Sequence, residues 1–389
     1  MAGEGTVRLG IDLGTSTTVA LIAPAGRPPR PLLFDGSPLL PSAVCLDPTG
    51  RLVVGRDAVH LASANPAAFE PYPKRCVDDG TVLLGQTEVS VTAMLQAVLG
   101  RVLDEAALVT GEPYSEVVIT CPAAWGERRR SVLLGAAPDG TRLVTEPVAA
   151  AHSFVDIAGQ HLDVGQAALI YDFGAGTFDA SVVRRRADGF EVLATVGLPD
   201  SGGLDIDAAI VKHLAAAVPD AEGWHRLDHP ETPGDRRARR QLWENVRTGK
   251  EMLSRATSTL VHVPVLDRDV PLSRETLDEL ATPVLDRTVA TCRDTLRAAG
   301  VDGTGLTAIF LVGGSSRMPA VSTVLHRALG IAPATVEQPE LAVAEGSLRA
   351  AGQPAGDTPD WPPAAVVPAG PRPGRRVRRL VAAAATVAV

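Results

Sequence analysis

Between residue 7 and about residue 350, short apolar runs of strand length alternate with longer stretches of helical period. That alternation predicts α/β architecture. "RLGI" and "TVALI" flank a small polar turn close to the N-terminus. Val89 to Val109 places apolar residues three and four apart, which predicts a helix ending near Gly111. "EVVITCPAAW" predicts a buried strand running into Pro122, and "ALIYDFGAGTFDASVV" predicts strand, tight turn and strand. "RRARRQLWENVRTGKEMLSRA" predicts a charged amphipathic helix. "AIFLVGGSSRMPAVSTVLHRAL" predicts a buried strand, a glycine turn and a helix.

The pattern stops at Gly352. Residues 351–374 are dense in Pro, Ala and Gly, a composition suited to a stiffened linker. Residues 375–389 open with Arg375 to Arg379 ("RRVRR") and continue as ten apolar residues. Basic residues before an apolar run match the cytoplasmic flank of a membrane helix, but a span needs ~20 residues. The tail is therefore expected to be either a basic, non-crossing segment or the start of a membrane helix in a longer chain. "MAGEGTVRLG" lacks the basic and apolar regions of a signal peptide.

Composition narrows the class. Of 389 residues, 45% are hydrophobic, enough for a substantial core, but only 4% are aromatic, so Ala, Val and Leu should dominate that core. A net charge of −8 argues against a general nucleic-acid surface. Cys45, Cys76, Cys121 and Cys292 are scattered with no C-x-x-C pair, and the eight histidines show no metal spacing. A reducing, cytoplasmic setting is expected.

The chemistry concentrates in an internal echo. Asp12-Leu-Gly14-Thr15-Ser16-Thr17 recurs as Asp172-Phe-Gly174-Ala175-Gly176-Thr177, and each copy joins two apolar strands. Small residues let backbone N–H groups approach a phosphate, and hydroxyls add donors. Two aspartates facing a polyphosphate need a cation between them, and Mg²⁺ typically binds through its waters and one or two carboxylates. Asp12 and Asp172 are thus the candidate Mg²⁺ pair, the plainer alternative being that each caps its turn. "ENVRTGKEM" is not a P-loop, because Glu244 and Glu251 occupy positions that need Gly and Ser or Thr.

These segments, with "LVGGSSRMP", resemble in order the ATPase domain of the heat-shock protein 70 family of DnaK-type chaperones. The resemblance also covers "RLVVGRDAVHLASANPAAFEPYPKR", "VITCPAAWGERRRSVLLGAA", "RLVTEPVAAAHSF" and "SGGLDIDAAIV". It implies an actin-like ATPase fold over 1–350. Two related lobes, each a mixed sheet flanked by helices, would lie at about 7–165 and 166–335, with the last helix returning to the first lobe and a nucleotide cleft between them. It implies ATP and Mg²⁺ as ligands and ATP/ADP exchange, with an exchange factor or co-chaperone as partner and no nucleic acid. By the same resemblance, Lys74 positions the attacking water, and Glu146 and Asp179 stand behind Mg²⁺ and that water. Asp172 joins them, and Thr177 contacts the terminal phosphate. Gly14 to Thr17, Gly174 to Thr177, Lys250, Ser254, Gly313, Gly314, Ser315 and Arg317 would hold the nucleotide, and Pro122 with Arg130 would form the allosteric hinge.

The sequence departs from the family pattern in places. Ala175 stands for a glycine, Arg247 for a glutamate, Glu251 for an arginine and Glu340 for an aspartate. After about residue 350 the sequence continues as the proline-rich segment, so no peptide-clamping domain is expected from this stretch. The leading expectation is an ATP-hydrolysing switch domain. The alternatives are a small-molecule kinase of the same superfold and a non-catalytic actin-like scaffold tethered at the membrane through 375–389.

Overall fold

The computed structural model describes residues 7–111, 114–301 and 305–350. The expectations for 351–374 and 375–389 fall outside the described residues. Two mixed sheets organise the chain. The first runs Arg142–Thr145, Tyr114–Cys121, Val7–Leu13, Thr17–Ala23 and Arg30–Pro31, with Leu40–Pro41 also pairing to Thr17–Ala23. The second runs Gly189–Leu198, Phe178–Arg186, Ala167–Phe173 and Leu306–Val312. In each sheet a hairpin carries the echoed turn, and the first hairpin strand has a parallel neighbour on its other side: Tyr114–Cys121 in one, Leu306–Val312 in the other. The sequence echo is therefore a structural repeat.

The central strands are buried on both faces, as near-continuous apolar runs require; the consecutive residues Leu169 and Ile170, and Ile309 and Phe310, point to opposite faces and are all buried. Helix Val91–Thr110 covers the first sheet. Ser90 caps it by accepting from Ala93 N, and Gly111 closes it in the left-handed conformation at φ 67°. Its buried positions Met94, Leu95, Val98, Leu99 and Val102 follow the helical period. Arg274–Ala298 packs under the second sheet, where Tyr171 Oη lies 2.7 Å from Thr288 Oγ1. The aromatic residues, few as they are, take the deepest places: Tyr171, Phe154, Phe173, Phe178 and Phe310 are among the largest fully buried side chains. All four cysteines are free and buried.

Helix Ala342–Ala350 crosses back onto the first sheet. It packs against Val7–Leu13 and the helix Glu146–His152, and Arg8 Nη1 donates to Leu348 O. The approach is close enough to demand glycines. A β-carbon on Gly10 would lie 2.6 Å from Ala344 O, and one on Gly346 would collide with Ala149 O. Among the described residues, no helix is long and apolar enough to cross a membrane.

Candidate functional site

A cleft of about 2190 Å³ lies between the two sheets, and both echoed turns open into it. In the first turn, Ser42 anchors the backbone: its Oγ donates to Gly14 O and its N to Ser16 O, both at 2.9 Å. In the second, Gly203 N and Ser315 Oγ donate to Gly174 O, and Leu204 N donates to Ala175 O at 2.7 Å. Four turn carbonyls are thereby engaged by protein donors, which removes acceptors that would repel a phosphate. The turns face one another: a β-carbon built on Gly176 would lie 3.9 Å from Thr15 Cγ2. Ala175 is absent from the left-handed backbone positions, so alanine meets no conformational penalty there.

The third glycine turn closes the second lobe's end of the cleft. Leu306–Val312 runs into Gly313 at φ 81°, then a short 3₁₀ turn Gly314–Arg317. A β-carbon on Gly313 would stand 2.5 Å from Phe173 O and 2.8 Å from Asp172 Oδ1, so this turn packs directly on the aspartate.

Lys74 sits on the 3₁₀ turn Pro73–Cys76 with its ammonium buried, 2.8 Å from Glu146 Oε1 and 5.5 Å from the Trp125 ring centre. Glu146 opens the helix Glu146–His152, with Pro147 at its first turn. Asp12 Oδ1 accepts from Thr120 Oγ1 at 2.8 Å. Asp172 and Asp179 stand directly opposite each other across the hairpin, where like charges repel.

Electrostatics binds these groups into one set. Burial, then Glu146, raise Asp12 to about 6 against the opposing pull of Lys74 and Thr120. Burial, then Glu146, raise Asp179 to about 7. Asp172 is held well above the usual carboxylate range by burial, then by Glu146, Asp179 and Asp12. Burial works against the Lys74 charge, but Glu146 and Asp12 outweigh it and its pKa is raised. Four carboxylates share one ammonium in this set, leaving three negative charges if all ionise. Such an excess suits a divalent cation. Among the described residues, no group of three or more His, Cys, Asp or Glu side chains converges as direct metal ligands. A cation held here through its waters by Asp12 and Asp172 fits the donor set.

The far end of the cleft carries paired charges. Arg247 Nε lies 3.0 Å from Glu251 Oε1, and Arg317 Nη1 lies 3.2 Å from Glu340 Oε1. The two substituted positions on the helix Pro233–Met252 thus form an ion pair one helical turn apart. The Lys250 ammonium is committed to Asp207 at 2.6 Å and to Gly203 O at 2.8 Å, beneath the second turn. Ser254 lines the cleft near these residues.

Of the residues singled out from sequence, Gly176 and Arg130 are the two that do not line the cleft. Pro122 lines it, whereas Arg130 lies behind, next to Cys121, with its Nε buried and without a hydrogen-bond partner. Sequence reasoning passed over Thr120, Trp125, Asp207 and Arg75. Thr120 and Trp125 flank Pro122 in a segment already singled out, and Asp207 lies in the noted "SGGLDIDAAIV" turn.

The chain is similar to known proteins over most of its length. A family model described as Hsp70 protein matches residues 78–360. The chaperone protein DnaK of Halobacterium salinarum is 32% identical over 368 residues, covering 90% of this chain and 56% of that protein. The chaperone protein dnaK1 of Prochlorococcus marinus (strain MIT 9313) is 29% identical over 383 residues, covering 88% of this chain and 56% of its own length. The chain spans about half the length of the curated relatives it matches.

Proposed function

The chain belongs to the heat-shock protein 70 family, with its actin-like ATPase fold, and on that premise we propose that this body binds and hydrolyses Mg-ATP as a conformational switch. The observation that carries the proposal is the convergence of both echoed turns, the Lys74–Glu146 pair and three pKa-raised aspartates on a single cleft. A polyphosphate would lie between Gly14–Thr17 and Gly174–Thr177, with the base toward Ser254, Gly314, Ser315 and Arg317. Arg317 would stack on the base while Glu340 holds its guanidinium.

Phosphoryl transfer is mostly positioning and charge neutralisation. Lys74, held in place by Glu146 and Trp125, would orient the attacking water and offset charge on the terminal phosphoryl group. Asp179, with a pKa of about 7, is matched to accept the water's proton near neutral pH. The water oxygen bonds phosphorus as the bond to the diphosphate oxygen breaks, and Thr177 donates to the phosphoryl oxygens. A magnesium ion bound through Asp12 and Asp172 would supply further charge neutralisation. Pro122, at the cleft wall beside Glu146, would carry closure outward toward Arg130. Cytoplasmic action, exchange with a co-chaperone or exchange factor, and membrane contact through 375–389 belong to the same proposal.

Phosphate release from ATP, with and without candidate sugars, tests it beside Lys74→Ala. Turnover that needs Mg²⁺, needs no acceptor and is lost in the variant supports the switch. Turnover only with an acceptor would identify a kinase, and no nucleotide binding would leave a scaffold.

A further inference from the structure

We propose that Arg75 binds the terminal phosphoryl group of the nucleotide across the mouth of the cleft and so selects ATP over ADP; this rests on the nucleotide reading above. Most cations of the cleft are already committed. Lys74 is paired to Glu146, Arg129 to Asp78, Arg247 to Glu251, Lys250 to Asp207 and Arg317 to Glu340. Among the described residues, three cleft-lining cations lack an ion-pair partner: Arg75, Arg128 and Arg255.

Of these three, Arg75 is placed against a phosphate turn. A β-carbon built on Gly176 would lie 3.6 Å from Arg75 Nη1 and 3.9 Å from Thr15 Cγ2. One guanidinium, a glycine of the second turn and a threonine of the first therefore surround a single point. Arg75 is carried on the first half of the chain, yet its guanidinium reaches a turn of the second sheet.

The placement follows from local geometry. Lys74 and Arg75 are consecutive on the 3₁₀ turn Pro73–Cys76. With three residues per turn, successive side chains diverge by roughly 120°. Lys74 turns inward to Glu146 and is buried, while Arg75 stays exposed along the mouth. One short turn thus aims two cations at the same space from different directions. A planar guanidinium suits the oxygens of a phosphoryl group, which it meets through two donors. ADP lacks that group. After hydrolysis and phosphate loss, the anion joining Arg75 to the second turn is gone, and the tie across the mouth goes with it.

Equilibrium binding of Mg-ATP and Mg-ADP to wild type, Arg75→Gln and Arg75→Lys tests the assignment. Arg75→Gln is expected to weaken Mg-ATP roughly 10-fold, the low end for a charge-assisted hydrogen bond because the group is exposed. Mg-ADP affinity should stay within about twofold by the same reasoning, and Arg75→Lys should recover part of the loss. Arg75 is exposed and makes no ion pair among the described residues, so the melting temperature of each variant should match wild type. Equal losses for both nucleotides, or no loss for either, would overturn the assignment and leave the nucleotide reading standing. A wild-type protein that binds neither nucleotide overturns both.

Discussion

Replacing Asp179 by Asn should stabilise the ligand-free protein at pH 8 while abolishing hydrolysis. The Asp179 carboxyl, ordinarily near 3.8, is held at about 7 by burial and by Glu146. At 1.36 kcal/mol per pKa unit, keeping it ionised costs the folded chain at most roughly 4 kcal/mol. The group is only partly buried toward the cleft, so screening and the residual cost of burying an amide reduce the expected gain to roughly 2 kcal/mol. For a chain of this length that is a rise of roughly 3 °C in melting temperature. Because the folded pKa is raised, the folded state binds more protons than the unfolded state between about pH 4 and 7, so wild-type stability falls as pH rises through that window. Asn does not titrate. Its advantage should be largest at pH 8 and shrink by more than half at pH 5. Thermal melts of both proteins at the two pH values, in EDTA, measure this directly. A variant that melts below wild type at pH 8, or an advantage equal at both pH values, would refute the electrostatic picture of the cleft.

Other substitutions separate binding from chemistry. Lys74→Ala should abolish phosphate release yet retain nucleotide in a filter-binding assay. It should also lower stability by roughly 3 kcal/mol in denaturant titration, because Glu146 loses its buried partner. Gly203→Ala would place a β-carbon 2.5 Å from Ser315 Oγ and 3.0 Å from Lys250 Nζ. The displaced second turn should weaken Mg-ATP at least roughly tenfold, a cost in the range of overpacking, as read by calorimetry. Arg240 donates to Ser63 Oγ and Ala62 O, joining the helix Pro233–Met252 to a segment of the first half. Arg240→Ala should speed nucleotide release roughly fivefold in stopped-flow exchange, the equivalent of one net hydrogen bond, with little change in melting temperature.

The residues that were legible in sequence are those whose function demands a particular backbone. Gly14 and Gly174 stand out because apolar strands enter and leave them, Gly313 because a buried strand ends there and a helix follows, and the echo of Asp12 in Asp172 shows that one device is used twice. Lys74 and Glu146 could be placed only through the family resemblance, since they lie 72 residues apart and meet through a tertiary contact. Lys250 was legible as a cleft residue, but its commitment to Asp207 was not, because the pairing depends on how the second turn packs over the helix. Arg75 went unnoticed beside Lys74, since a 3₁₀ turn separates neighbouring side chains and a one-dimensional pattern does not. The low aromatic content predicts an Ala-Val-Leu core, and those residues do make up most of it; what composition does not show is that Tyr171, Phe173 and Phe178 pack on one another within the core of the second sheet.

The central claim is a two-sided clamp, in which turns 13–17 and 173–177 hold one nucleotide together. Amide hydrogen exchange with and without Mg-ATP tests it most directly. Both turns should gain protection at the same nucleotide concentration, matching a one-to-one calorimetric stoichiometry. Protection of one turn alone, or of neither, would contradict the clamp.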